Sequence, residues 1–175
     1  MRPPVTGEKI RKLMAALGEA VTGPGAIFFT GGVTALLHGW RDTTIDIDLK
    51  AWPEPKGLYE ALADLKEREN VNIELLSPDD FIPEVPGWRE RSLFIARHGE
   101  IDFYHYDPYA QALAKLERGH ERDLADVACM VAAGLVSRDR LGELFQQIEP
   151  GLIRYPAIDA RSFRRSVDQL VTKRT

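Results

Sequence analysis

Apolar positions follow two periods along this chain, and the switches between them mark out its elements. From Thr6 to Val21, Ile10, Leu13, Met14 and Leu17 recur at three- and four-residue spacing, which predicts an amphipathic helix. Gly23-Pro24-Gly25 breaks it, and the apolar run Ala26–Thr30 predicts a short strand. The helical period returns from about Val33 to Trp40. Over Ile45–Ala51 it gives way to alternation, with Ile45, Ile47 and Leu49 apolar and Asp46 and Asp48 between them. Pro53 and Pro55 close that strand, and a helix is expected from about Lys56 to Glu69. Val71–Leu76 (VNIELL) alternates again, and Ser92–Arg97 with Glu100–Tyr106 reads as a hairpin turning at His98-Gly99. Between these, Ser77–Arg91 carries Pro78, Pro83, Pro86 and Gly87 and reads as a long loop.

From Pro108 onward the pattern is helix after helix: Tyr109–Glu117, Glu121–Ala133, Arg138–Ile148 and Ser162–Lys173, with Asp159 as a cap before the last. The expected fold class is α/β (α+β), a mixed β-sheet with flanking helices and a helical C-terminal portion. No flexible linker separates the parts, so one domain over residues 1–175 is expected, with a sheet-containing core at 1–107 and a helical portion at 108–175.

Composition narrows the function classes. A chain of 175 residues can bury a real core, and a net charge of −4 supplies no global basic field for nucleic acid or anionic membrane. Any nucleic-acid contact must use a local patch, the best being Arg161, Arg164, Arg165, Lys173 and Arg174. The single cysteine, Cys129, rules out an internal disulfide and reads as a small core residue in a reducing cytosol. No apolar stretch reaches spanning length and MRPPVTGEK is not a signal peptide, so a cytoplasmic protein without a membrane partner is expected. The four histidines show no zinc-type spacing, and neither a nucleophile elbow nor a Walker-type loop is present.

Candidate chemistry concentrates between Phe28 and Lys50 (FFTGGVTALLHGWRDTTIDIDLK). Asp46 and Asp48 stand at i and i+2 of a strand, so their carboxylates share a face. Gly31 and Gly32 let the backbone approach something closely, with N–H groups suited to a phosphate at the start of the next helix. Paired acids beside such a turn suggest metal-assisted chemistry on a nucleotide; a plain solvated strand face is the other reading of the pair.

Gly31-Gly32, thirteen intervening residues and then Asp46-Ile47-Asp48 resembles the signature of the polymerase-β-like nucleotidyltransferase superfamily. With Arg41, Thr43 and Leu49 added, the pattern looks most like its minimal prokaryotic branch, which includes the AbiEii-type toxin nucleotidyltransferases. The resemblance covers roughly Ala26 to Ala133 and implies that superfamily's fold and Mg²⁺ (or Mn²⁺) as cofactor. It also implies a third metal-binding, catalytic acid on a later strand. Glu74 and Asp102 both show the apolar-acid-apolar pattern; element order favours Glu74, although the branch more often has Asp there.

A second match lies in Ala114–Asp126, similar to the Lys…Arg…Asp-x-x-Asp segment of AbiEii-type enzymes. There Lys115 would supply a point charge to the triphosphate and Asp123 would orient it, with Arg118 alongside; a solvated, ion-paired helix pair is the alternative. The implied activity is transfer of an NMP from an NTP to a tRNA 3′ end or a protein hydroxyl, in a toxin–antitoxin setting with a cognate antitoxin. An inactive nucleotide-binding or partner-binding module with the same fold is the competing expectation.

Overall fold

The computed structural model describes residues 1–173, so Arg174 of the basic tail lies outside the described residues. The chain forms two compact units. The first comprises Met1–Ser77 with Ser92–Tyr106, and the second Pro78–Arg91 with the chain from Asp107 onward.

The first unit is built on a five-stranded mixed sheet in the order β3-β2-β1-β5-β4. Its strands are β1 (Gly25–Thr30), β2 (Asp46–Ala51), β3 (Asn72–Glu74), β4 (Leu93–His98) and β5 (Ile101–His105). β2 runs antiparallel to β1, while β5 runs parallel to β1 and β3 parallel to β2. β4 and β5 form the expected antiparallel hairpin. Three helices accompany the sheet: α1 (Gly7–Ala20), α2 (Gly32–Leu37) and α3 (Leu58–Arg68).

Strand register sorts side chains onto two faces. Ile27, Phe29, Ile47, Leu49, Ile73, Ile101 and Phe103 share one face and pack with Ile10, Leu13 and Leu17 of α1 and Leu58, Leu62 and Leu65 of α3. The other face carries Phe28 and Thr30 of β1, Asp46, Asp48 and Lys50 of β2, and Asn72 and Glu74 of β3. Full burial of one such aliphatic side chain is worth roughly 1.5–3 kcal/mol. A one-residue slip of β2 would send Ile47 and Leu49 to the polar face and bury the aspartates. Ile45, expected to alternate with them, lies ahead of the strand and is exposed.

The second unit is helical: α4 (Trp88–Arg91), α5 (Pro108–Arg118), α6 (Glu121–Ala132), α7 (Arg138–Ile148) and α8 (Ala160–Thr172). Leu113, Met130, Leu141, Leu144, Phe145 and Phe163 are buried, and the rings of Phe145 and Phe163 meet edge to face at 4.9 Å. Asp107, Ser137 and Asp159 cap α5, α7 and α8 by accepting from backbone N–H groups. Asp107 is fully buried and also accepts two hydrogen bonds from Arg91, at 3.0 and 2.7 Å.

The stretch read as a loop over Ser77–Arg91 holds a 3-10 turn (Pro78–Asp80) and α4, with Pro78, Ile82, Val85 and Trp88 buried. Its prolines hid short turns too brief to show a period. A further 3-10 segment at Glu149–Arg154 follows α7 where the sequence showed only Pro150-Gly151 punctuation. Among the described residues no helix is long and apolar enough to cross a membrane.

The two-faced sheet predicts opposite outcomes for neighbouring substitutions in β2. Ile47→Ala is expected to cost about 2–5 kcal/mol in urea unfolding. Asp46→Ala, on the exposed side, is expected to shift stability by less than about 0.5 kcal/mol.

Candidate functional site

The site is assembled around the end of β1. Gly31 has φ +65°, in the left-handed region that favours glycine, and a Cβ there would lie 3.4 Å from Oδ2 of Asp48. A Cβ on Gly32 would collide with the hydroxyl of Thr44, so Gly32 is required by close approach and Gly31 by its backbone conformation. α2 starts at Gly32 and buries Val33, Thr34, Ala35 and Leu36, which fixes the turn beside β2.

Register places the acids. Thr30 of β1 pairs with Asp48 of β2, and Asp48 with Glu74 of β3, so the three form one row across the sheet. Asp46 pairs with Asn72 one step along the same face. Asp46 is exposed, whereas Asp48 and Glu74 are half-buried. Asp102, the other candidate for the third acid, pairs with Ala26, on the far side of β1 and roughly 13 Å along it from Thr30. It forms an ion pair with Arg97 at 2.9 Å.

Asn72 is the residue that sequence reasoning missed. Its Nδ2 donates to Oδ1 of Asp46 at 2.7 Å and to Oε1 of Glu74 at 2.9 Å, placing one amide between two carboxylates. Arg2 donates to the carbonyl of Val71 at 2.5 Å and contacts Oδ1 of Asn72 at 3.4 Å, which orients the amide. The signal was available, because Asn72 stands at i−2 from Glu74 and must share its face.

The oxygen-only donors of Asp46, Asp48 and Glu74 suit a hard divalent cation. The amide between Asp46 and Glu74 shows that two of them already converge on one electropositive group. With Asn72 in that position, no group of three or more His, Cys, Asp or Glu among the described residues is disposed to hold a metal ion.

In the second unit, Lys115 on α5 is buried, its side chain 7% exposed, and donates to Oδ2 of Asp126 on α6 at 2.7 Å. Asp123, its expected partner, is farther away at 3.8 Å and is instead held by Arg118, which donates through Nε at 2.7 Å and Nη2 at 2.5 Å. Two cations and two carboxylates therefore form a balanced network linking α5 to α6, with Arg118 as its exposed member. Trp88 is buried and donates to Glu84. Cys129 is a half-buried free thiol on α6.

Burial alone pushes the Asp123 carboxyl up, but the hydrogen bonds and charge of Arg118, with the charge of Lys115, outweigh it and hold the carboxyl below the ordinary Asp range. A depressed folded-state pKa stabilises the fold above the unfolded pKa, and that contribution is lost as pH falls through the lowered value. The stability gap between the native chain and Arg118→Ala should therefore be largest near neutrality and narrow as pH falls below the ordinary Asp range. Urea unfolding across that range checks this; an unchanged gap would count against the pairing.

A family model described as a nucleotidyltransferase of unknown function, DUF6036, matches residues 8–170. Neither the curated proteins nor the solved structures yield a match to the chain. The match spans the Gly-Gly turn, the acid row and the α5–α6 ion-pair network alike, and the mixed sheet with flanking and C-terminal helices is consistent with a nucleotidyltransferase-like fold. The chain belongs to the DUF6036 family of nucleotidyltransferases of unknown function.

Proposed function

We propose that this protein moves a nucleoside monophosphate from an NTP to a hydroxyl acceptor with Mg²⁺ or Mn²⁺, as the AbiEii-type nucleotidyltransferases that it resembles do. The observation carrying this reading is the Thr30–Asp48–Glu74 row lying against the side-chain-free Gly31. Asp46, Asp48 and Glu74 would hold the cation, Asp46 and Glu74 giving up the Asn72 amide to do so. Such a cation, when bound, offsets charge on the triphosphate and on the attacking and leaving oxygens.

The chain's own residues supply the positioning. The backbone of Gly31 and Gly32 would lie against the phosphates, and the absence of a side chain at Gly31 lets them approach Asp48. Attack by the acceptor oxygen on the α-phosphorus would expel pyrophosphate. By the resemblance, Lys115 and Asp123 would be nucleotide-binding residues with Arg118 alongside; here they are members of the ion-paired α5–α6 network. By analogy with the toxin branch, the acceptor would be a tRNA 3′ end or a protein hydroxyl, and a cognate antitoxin would be the partner.

A second reading is a nucleotide-binding or partner-binding module without turnover. It is favoured by the Asn72 amide seated between two of the acids and by Glu rather than Asp at position 74.

The test is incubation with each α-³²P-NTP, Mg²⁺ or Mn²⁺, and total cellular RNA plus protein extract. Label should appear on a discrete RNA or protein band and fall at least about 10²-fold in Asp48→Asn. The thermal unfolding midpoint of that variant should stay near the native value. Label that survives Asp48→Asn would end the mechanism, and NTP binding without label would select the second reading.

A further inference from the structure

The first unit contains a cavity on the opposite side of the sheet from the acids. Its walls come from α1, from the C-terminal end of α2 and from the edge strand β4, and it encloses about 570 Å³, within the range of small-molecule sites. The register of β4 against β5 shifts between Phe94 and Ala96. A bulge of this kind bends an edge strand and re-aims its side chains.

The polar lining is one-sided. Arg11, His38, His98 and His105 reach the cavity and no carboxylate lines it, while the remaining wall is apolar, with Met14, Leu37 and Leu93 among it. Low-dielectric walls around a single sign of charge strengthen attraction for an anion. The Phe94 ring meets Tyr104 edge to face on the acid side of the sheet, so the apolar wall of the cavity is aliphatic, from Met14, Leu37 and Leu93.

The imidazoles are held in place. Nδ1 of His38 lies 2.8 Å from the carbonyl oxygen of Thr34. A carbonyl only accepts, so Nδ1 carries the hydrogen and Nε2 is the ring's other polar atom. His105 continues the core-facing row of Ile101 and Phe103 as its polar member, with Nδ1 3.1 Å from the buried Thr34 hydroxyl. Burial, and then the proximity of His38, push the His105 pKa down to about 3, so the ring is neutral near pH 7. The two rings are 4.5 Å apart, and Trp40 stacks on His38 at 4.8 Å, which limits their movement.

We propose that this cavity is a second ligand site, for a small organic anion consisting of an oxyanion head on an apolar body. Arg11 and His38 hold the head, and Met14, Leu37 and Leu93 flank the body. The site is independent of the nucleotidyl-transfer reading, since it uses none of the acids and none of the Gly-Gly turn. Such a ligand is either an aromatic carboxylate or a nucleoside monophosphate.

The experiment is a titration of the full chain, with ¹⁵N-labelled histidine, by salicylate, AMP and inorganic phosphate, following the imidazole signals. Saturable shifts of His38 and His105 with salicylate alone assign the carboxylate, with AMP alone the nucleotide, and with both the general class. Arg11→Ala, on an exposed helical position, should weaken the effective probe about tenfold or more, as expected for a lost charge-assisted contact. His120, exposed and outside the cavity, is the internal reference. The proposal is overturned by silence with all three probes, by equal response to inorganic phosphate, by equal movement of His120, or by unchanged affinity in a folded Arg11→Ala.

Discussion

The arrangement of the first unit depends on which way β2 faces. Ile47 and Leu49 are fully buried in the core, and the pleat then leaves Asp46 and Asp48 no choice but the opposite face. Backbone pairing carries the same choice sideways. Thr30 is set beside Asp48 on β1, and Asn72 and Glu74 come to the same face on β3. The hydrophobic effect thus positions the acids without touching them, because the apolar face binds the register while the polar face receives the chemistry.

Charge is managed differently in the two units. On the sheet, carboxylates stay half-buried or exposed, and Asp46 and Glu74 meet a neutral amide that donates to both. Between α5 and α6, buried carboxylates are matched with cations, Lys115 with Asp126 and Arg118 with Asp123. Taking such charges out of water costs several kcal/mol per ion unless each is paired and hydrogen-bonded. The first pattern joins two carboxylates through a neutral amide; the second uses them in holding two helices together. The same Asp residue type therefore carries different meanings at Asp46 and Asp126.

Membership of a nucleotidyltransferase family gives the acid row a chemical context, and the glycine turn beside it gives that context a location. The Asn72 amide adds a constraint that motif reading does not contain. Any cation taken up by Asp46 and Glu74 competes with two hydrogen bonds already made, so affinity there is a difference between two states rather than a property of the carboxylates alone.

Periodicity and turn chemistry were enough to find the strands, the main helices, the Gly31-Gly32 turn and the shared face of Asp46 and Asp48, because each is a local property of a few consecutive residues. Strand pairing is not local. Only the tertiary structure put Glu74 rather than Asp102 beside Asp48, and Asn72 between Asp46 and Glu74. It also gave Lys115 to Asp126 rather than Asp123, since a partner on another helix is chosen by packing. The segment from Pro78 to Arg91 looked like a loop because its turns are shorter than a helical period, yet Pro78, Ile82, Val85 and Trp88 are buried and the segment belongs to the helical unit. The cavity beside β4 is lined from α1, the end of α2 and β4, elements far apart in the chain that no local pattern of apolar positions brings together. The sequence alone determines which faces its elements present; which faces meet is decided by long-range packing.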